Sequence, residues 1–166
     1  MKTLALKVTV AGLLLATGSC FAAGALSVTR EVTVDNSSAT VWKLVGNFNS
    51  LDVWHPAVIK SELNGAGTKV GTRRLLTLGD GATILESLLA YSAAKNTYSY
   101  SIINSPLPVA NYKATITLTP VDEGHTLMKW TSTFDANGVS DEQAASIIGG
   151  IYDAGMAKVV ANFKKQ

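Results

Sequence analysis

Side chains able to carry acid–base or metal chemistry are few in this sequence of 166 residues, which contains two histidines and one cysteine. His55 stands beside Asp52 and Trp54, a combination that suggests acid–base chemistry. It also precedes Pro56 at the end of a short predicted helix, which favours a position at the rim of a site. His125 falls in a predicted turn, so we expect it to be exposed. Two separated histidines form no recognisable zinc site.

Motifs for nucleophilic catalysis and cofactor binding are also missing from the sequence. It has no Gly-x-Ser-x-Gly elbow, no phosphate-binding loop and no dinucleotide fingerprint. Gly65-Ala66-Gly67 is typical of a turn between strands rather than of a phosphate cradle. We therefore expect no cofactor and assign no catalytic residue from the sequence.

The first 25 residues have the pattern of a cleavable export signal, with a basic start at 1–7, an apolar run at 8–16 and small residues at 17–25. The run is shorter than the roughly 20 residues of a membrane span. Cleavage after Ala25 fits best, because alanine then fills both positions read by the peptidase; cleavage after Ala22 is the alternative. A buried N-terminal helix and a lipoprotein signal acylated at Cys20 are the competing interpretations; against the second, Thr17 stands where such a signal has an aliphatic residue. We expect a periplasmic domain, 26–166, without a membrane anchor.

Loss of this leader would change the chemistry of the mature chain. Cys20 would leave with it, so the mature domain would have no thiol for disulfides, catalysis or metal ligation. Without Lys2 and Lys7 the 14 Lys and Arg residues fall to 12, which equals the number of Asp and Glu residues. A neutral domain has no electrostatic reason to bind nucleic acid or an anionic membrane surface.

The elements that must position the remaining side chains follow from periodicity and turn residues. Alternating apolar and polar residues predict a first strand at 26–34. Helical spacing of apolar residues then predicts two successive short helices, the second of which ends at Trp54. A long helix is expected from Ser140 to about Phe163. Between these helices lie six predicted strands, at 57–63, 69–78, 82–91, 97–104, 111–120 and 126–134. The class is therefore α+β, with a curled seven-stranded antiparallel sheet covered by the long helix.

The face of the long helix suggests space between helix and sheet. The apolar positions of this helix are Ile147, Ile148, Ile151, Ala154, Gly155 and Val159, and few large side chains lie between them. Small residues at a helix–sheet contact predict a cavity. Simple close packing of helix on sheet is the alternative.

Three segments have a characteristic order and spacing. They are Ala39-Thr40-Val41-Trp42 through Trp54-His55-Pro56, Gly67-Thr68-Lys69-Val70-Gly71 through Asp80-Gly81 to Glu86, and Tyr98-Ser99-Tyr100 through Pro106-Leu107-Pro108 to Tyr112. Together with the element order, over roughly residues 27–163, they resemble the helix-grip fold of the START/Bet v 1 superfamily, in its polyketide cyclase/dehydrase branch. This resemblance implies a cavity that binds an apolar or amphipathic small molecule.

The exported form is similar, more narrowly, to periplasmic accessory proteins found beside methanol dehydrogenase in methylotrophs. That resemblance implies a periplasmic quinoprotein dehydrogenase or its cytochrome as a partner. Two other functions stay open: a cyclase- or dehydratase-type enzyme that uses Glu86, Tyr112 or His55, and a protein-interaction module with a vestigial cavity.

The resemblance also implies which side chains face the cavity. Strand alternation alone does not decide, because the two faces of 82–91 are both largely apolar. By the resemblance Glu86 points inward, with Lys60, Arg74 and Tyr112 as further inward polar positions. A buried Glu86 needs a cationic partner, which Lys60 or Arg74 would supply. The alternative is an internal ion pair with no ligand.

The remaining ligand-binding residues of the prediction are apolar or aromatic. By the resemblance Trp54, Leu107 and Pro108 lie at the cavity mouth. Tyr100 and Trp130, with Tyr98, line its wall if they point inward, and core packing is the alternative for them. Ile151 and Gly155, on the long C-terminal helix, complete the predicted ligand-binding set.

Overall fold

The computed structural model describes residues 26–164. The predicted signal peptide and Cys20 therefore lie outside the described residues. The elements are β1 (Leu26–Val34), α1 (Ser38–Val45), α2 (Leu51–Trp54), β2 (Val58–Asn64), β3 (Arg73–Leu78), β4 (Thr83–Ser92), a 3-10 turn (Ala93–Lys95), β5 (Thr97–Asn104), β6 (Val109–Pro120), β7 (Thr126–Ala136) and α3 (Asp141–Phe163).

The seven strands form one antiparallel sheet in the order β1-β7-β6-β5-β4-β3-β2. Turns and loops join consecutive strands from β2 to β7. The last strand, β7, pairs with β1 along the whole length of β1. The predicted α+β architecture is thereby confirmed. The predicted strand bounds lie within two residues of the observed ones, except that β3 begins at Arg73 and not at residue 69, because residues 69–72 form a bend that includes Gly71 at a φ of 88°.

The long helix α3 begins where its capping residues predicted. The Ser140 side chain accepts the Gln143 backbone N–H, and the Gln143 side chain accepts the Ser140 N–H in return. By length and composition alone α3 would also pass as a membrane span. In this fold it packs on β1 and β7, and its buried residues are Ala144, Ile148, Gly149, Tyr152, Gly155, Met156 and Val159.

The buried face of α3 is rotated from the one that the sequence suggested. Ile147 and Ala154 are exposed, whereas Tyr152 and Met156 are buried. The face is therefore not made of small residues alone. Burial follows the i, i+4 row that starts at Ile148, and this row places a tyrosine and a methionine against the sheet.

Candidate functional site

A cavity of about 260 Å³ lies between α3 and the concave face of the sheet. Its wall is almost wholly apolar and receives side chains from α2, from α3 and from every strand between β2 and β7. Six residues of the predicted site line it: Glu86, Tyr100, Leu107, Tyr112, Trp130 and Ile151. The space predicted between helix and sheet is therefore present.

The cavity has a mouth and a closed end. Among the lining residues, Ala57 is exposed and Leu78, Ile102, Leu107 and Ile151 are half-buried, so the cavity opens towards solvent where these residues lie. The polar lining residues at the closed end are buried, with Glu86 4% exposed. A ligand that passes these residues meets the buried polar side chains inside the cavity.

Glu86 forms a buried ion pair with Arg74. The two residues lie directly opposite each other on β4 and β3. Arg74 Nε donates to Glu86 Oε2 at 2.7 Å, and Nη2 lies 2.6 Å from the same oxygen. Their side chains are 5% and 1% exposed, respectively. Of the two predicted cationic partners of Glu86, Arg74 and Lys60, only Arg74 forms the ion pair.

Arg74 is held in place by more than its counterion. Nη1 donates to the backbone carbonyl of Phe48, and Cζ lies 4.1 Å from the centroid of the Phe48 ring and 5.5 Å from that of Tyr100. Burial alone would lower the pKa of Arg74, but the Glu86 carboxylate raises it above its ordinary value. Burial raises the pKa of Glu86, and the adjacent guanidinium opposes that rise. Arg74 lies behind the cavity wall, since Glu86 and not Arg74 lines the cavity.

The expected inward position of Lys60 was wrong. β2 is irregular between Val58 and Lys60, so the strand's alternation is displaced by one residue at Ile59. Lys60 consequently projects to solvent, where its Nζ lies 3.0 Å from Glu62 Oε2. This exposed pair is separate from the cavity.

Three further residues of the predicted site lie outside the cavity lining. Trp54 is not at the mouth: it is fully buried, with its ring centroid 5.6 Å from that of Trp130 behind the wall. Pro108 is half-buried, but only its neighbour Leu107 reaches the cavity. Gly155 lies against His55 and Trp130 rather than at open space.

His55 is a wall residue, and the prediction that it lies at a rim was wrong. It is 4% exposed and lines the cavity. Its Nδ1 accepts the Ala57 backbone N–H at 3.3 Å, so Nε2 carries the proton and donates to the carbonyl of Ile151 at 2.9 Å. Burial lowers the pKa of His55; the bond to Ile151 opposes this, and the nearby Arg74 charge adds to it. Both ring nitrogens are engaged, which leaves neither available as a general base.

The lowered pKa of His55 predicts a loss of stability in mild acid. Below about pH 6.5 the unfolded chain takes up a proton on this histidine that the folded chain resists. The free energy of unfolding should therefore be fully retained above pH 6.5 and fall at lower pH, by up to about 1.4 kcal/mol per pH unit. Urea denaturation between pH 8 and pH 5.5 measures it. The exposed His125 provides the control, because His125→Gln should keep this slope and His55→Gln should flatten it.

The glycines of α3 have different roles, and substitution by alanine should separate them. A Cβ at Gly155 would lie 2.6 Å from His55 Cδ2 and 3.2 Å from Trp130 Cζ3, whereas one at Gly150 meets nothing within 4 Å. Gly150→Ala should raise the free energy of unfolding by about 0.5–1 kcal/mol through helix propensity. Gly155→Ala should lower it by about 1–3 kcal/mol, because two rings must shift. Equal effects in chemical denaturation would contradict this packing.

Aromatic hydroxyls and an indole supply the other polar atoms of the cavity. The Tyr112 and Tyr152 hydroxyls share a hydrogen bond of 2.5 Å, and Trp130 Nε1 donates to the Tyr100 hydroxyl at 3.1 Å. Tyr152 also stacks on Trp130, with 4.2 Å between ring centroids. Burial is the main cause that raises the pKa of Tyr100, Tyr112 and Tyr152, so all three stay protonated near neutral pH. Sequence reasoning missed Tyr152, which the i, i+4 spacing from Ile148 would have indicated.

The acid–base groups that line the cavity are paired or protonated at neutral pH. Glu86 is neutralised by Arg74, His55 is bonded at both nitrogens, and the tyrosines titrate far above neutrality. Within residues 26–164, no three His, Cys, Asp or Glu side chains are grouped so that they could hold a metal ion. Tyr98, whose pKa burial raises to about 12, packs in the core outside the cavity.

The chain belongs to the family described as polyketide cyclase/dehydrase and lipid transport, whose model matches residues 25–164. Among solved structures it is similar to the protein XoxI from Bacillus cereus, with 36% identity, 82% of this chain and 94% of that chain covered, and a TM-score of 0.78. No match to this chain was found among curated proteins.

More distant structures show the breadth of the fold. A START superfamily protein from Mycobacterium smegmatis is 14% identical, with 82% and 96% coverage and a TM-score of 0.71. The ZhuI aromatase/cyclase from Streptomyces sp. R1128 is 15% identical, with 82% and 89% coverage and a TM-score of 0.66. The predicted START/Bet v 1-like fold and its polyketide cyclase/dehydrase branch are confirmed.

Proposed function

We propose that the protein is a periplasmic binding domain that carries one small apolar or amphipathic molecule in the cavity under α3. The observation that carries the proposal is an almost wholly apolar cavity of about 260 Å³ that ends at a buried ion pair. A cavity of about 150 Å³ accommodates benzene, so this one suits a molecule of one or two rings or a short alkyl chain.

A finer proposal is that the domain assists a periplasmic quinoprotein dehydrogenase or the cytochrome that serves it. Its support is the export-type pattern of residues 1–25 and the similarity to accessory proteins described above. An accessory role also fits a cavity whose carboxylate is paired with Arg74 and whose histidine is hydrogen-bonded at both ring nitrogens. The mature chain would then begin at Leu26, without Cys20 and without a membrane anchor.

The alternative is a cyclase- or dehydratase-type enzyme that uses Glu86, Tyr112 or His55. What favours it is that all three residues line the same cavity. Turnover of a test substrate with a pH–rate profile that Glu86→Gln abolishes would establish it over the binding function.

Native mass spectrometry of the protein from the periplasm of its own cell tests the binding and accessory proposals together. We expect a mature mass that starts at Leu26, plus the mass of one small organic molecule, and a fraction bound to a dehydrogenase or cytochrome. A retained Met1 or an acylated Cys20 would contradict the processing. A protein that is always free of ligand, even after exposure to apolar probes, would contradict the binding function.

A further inference from the structure

The polar end of the cavity is asymmetric in charge. Both close contacts between the ion-paired side chains reach a single carboxylate oxygen, Glu86 Oε2. No side chain in the described part of the protein donates a hydrogen bond to Oε1, the other oxygen of this cavity-lining residue. A carboxylate accepts several hydrogen bonds, so Oε1 keeps acceptor capacity that only a ligand or water can use.

The cation of the pair is not available to a ligand in the same way. Arg74 Nε and Nη2 contact Glu86, Nη1 donates to Phe48, and the Phe48 ring lies against the guanidinium. Arg74 is 1% exposed and is absent from the cavity wall. A ligand therefore meets the carboxylate, with its cation shielded behind it.

The tyrosines complete the hydrogen-bonding pattern of this end. Only one of the two hydroxyl hydrogens of Tyr112 and Tyr152 is used in their mutual bond, and the other can be donated to the neighbouring Tyr100 or Ser132 hydroxyl or to a ligand. Tyr112 and Tyr152 line the same cavity as Glu86. Burial is the main cause that raises the pKa of Tyr152, and the Glu86 charge adds to it. The closed end thus offers one strong acceptor and at least one neutral donor.

We infer that the ligand is a neutral hydroxyl compound, an alcohol or a phenol, and not a carboxylate such as a fatty acid. A hydroxyl group donates to Glu86 Oε1 and accepts from the Tyr112–Tyr152 pair, so it matches both features. A carboxylate ligand would place a second negative charge against Glu86 in a desolvated site, where like charges disfavour each other. This inference rests on the proposed binding function and specifies its ligand class.

Three probes with one ring system test the ligand class: naphthalene, 2-naphthol and 2-naphthoate. Calorimetric titration at pH 7.5 should show 2-naphthol binding about tenfold more tightly than naphthalene, as expected for one added hydrogen bond to a charged acceptor. The 2-naphthoate ion should bind about tenfold more weakly than naphthalene or not at all. Binding of naphthoate equal to or tighter than that of naphthol would overturn the inference while leaving the binding function intact. If naphthalene itself fails to bind, the binding function and the inference both fall.

Variants of the ion pair show whether Glu86 sets this preference. Glu86→Gln should reduce the preference for naphthol over naphthoate at least tenfold, because the repulsive charge is lost. Glu62→Gln is the matched control, since it removes a carboxylate from the exposed Lys60 pair and should change nothing. If Glu86→Gln does not fold, the double variant Arg74→Met/Glu86→Leu removes both charges and should bind naphthalene without preferring naphthol. An unchanged preference in either cavity variant would overturn the role of Glu86.

Discussion

Glu86→Leu is expected to lower the free energy of unfolding by about 3–5 kcal/mol, because it leaves Arg74 as an uncompensated buried charge. Arg74 cannot turn to solvent easily: its guanidinium is bonded to Phe48 and lies near two aromatic rings, and its strand, β3, is paired on both sides. The Glu86 carboxylate is the only acidic group in contact with it among the described residues. Urea denaturation followed by circular dichroism measures the change.

Two controls separate charge from packing in this experiment. Arg74→Met/Glu86→Leu should recover more than half of the loss, because it removes both charges and leaves only the Phe48 carbonyl without its donor, at a cost of about 1–3 kcal/mol. Glu62→Leu, in the exposed pair with Lys60, should cost less than about 1 kcal/mol. A loss below about 1 kcal/mol for Glu86→Leu would show that Arg74 finds another partner, and the ion-pair account would be wrong.

Ile151→Trp is expected to weaken binding of naphthalene about a hundredfold or more. Ile151 is half-buried at the mouth of the cavity, so an indole at this position has empty space to enter and would fill the volume that a ligand needs. In a close-packed core the same change would cost about 1–3 kcal/mol of stability by overpacking. We expect less than that, because the cavity accepts the added atoms.

The matched control is Ile147→Trp, one turn earlier on α3. Ile147 is 39% exposed and does not line the cavity, so its substitution should leave both binding and stability nearly unchanged. Calorimetry and thermal denaturation of the two variants give the comparison. Severe destabilisation by Ile151→Trp, or unimpaired ligand binding, would contradict an open cavity at this place.

The fold was predictable because its local signals agree with one another. Turn residues divide the sheet into the observed strands, of which only β3 is much shorter than predicted, and Ser140 with Gln143 marks the start of α3. The contact of Arg74 with Glu86 could also have been predicted from the sequence. The Gly79-Asp80-Gly81 turn centres a hairpin on Asp80, and residues equidistant from that centre are opposite each other.

Other parts of the site depend on details that strand alternation does not contain. The irregularity at Ile59 turns Lys60 outward, and no turn residue in β2 signals it. His55 is buried because α3 has no side chain at Gly155, a contact between positions far apart in the chain. Packing of α3 on β1 and β7 decides between its two apolar rows, and it buries the row through Ile148 and Tyr152 rather than the one through Ile147.

Diffraction from crystals soaked with 6-bromo-2-naphthol tests most directly whether the cavity is a binding site with its polar end at Glu86. The bromine's anomalous signal locates the molecule independently of the protein atoms. We predict one bromine near Leu107 and Ile151 at the mouth, with the hydroxyl within about 3 Å of Glu86 Oε1, a normal hydrogen-bond distance. A cavity without bromine, or a molecule bound with its hydroxyl towards the mouth, would contradict the account.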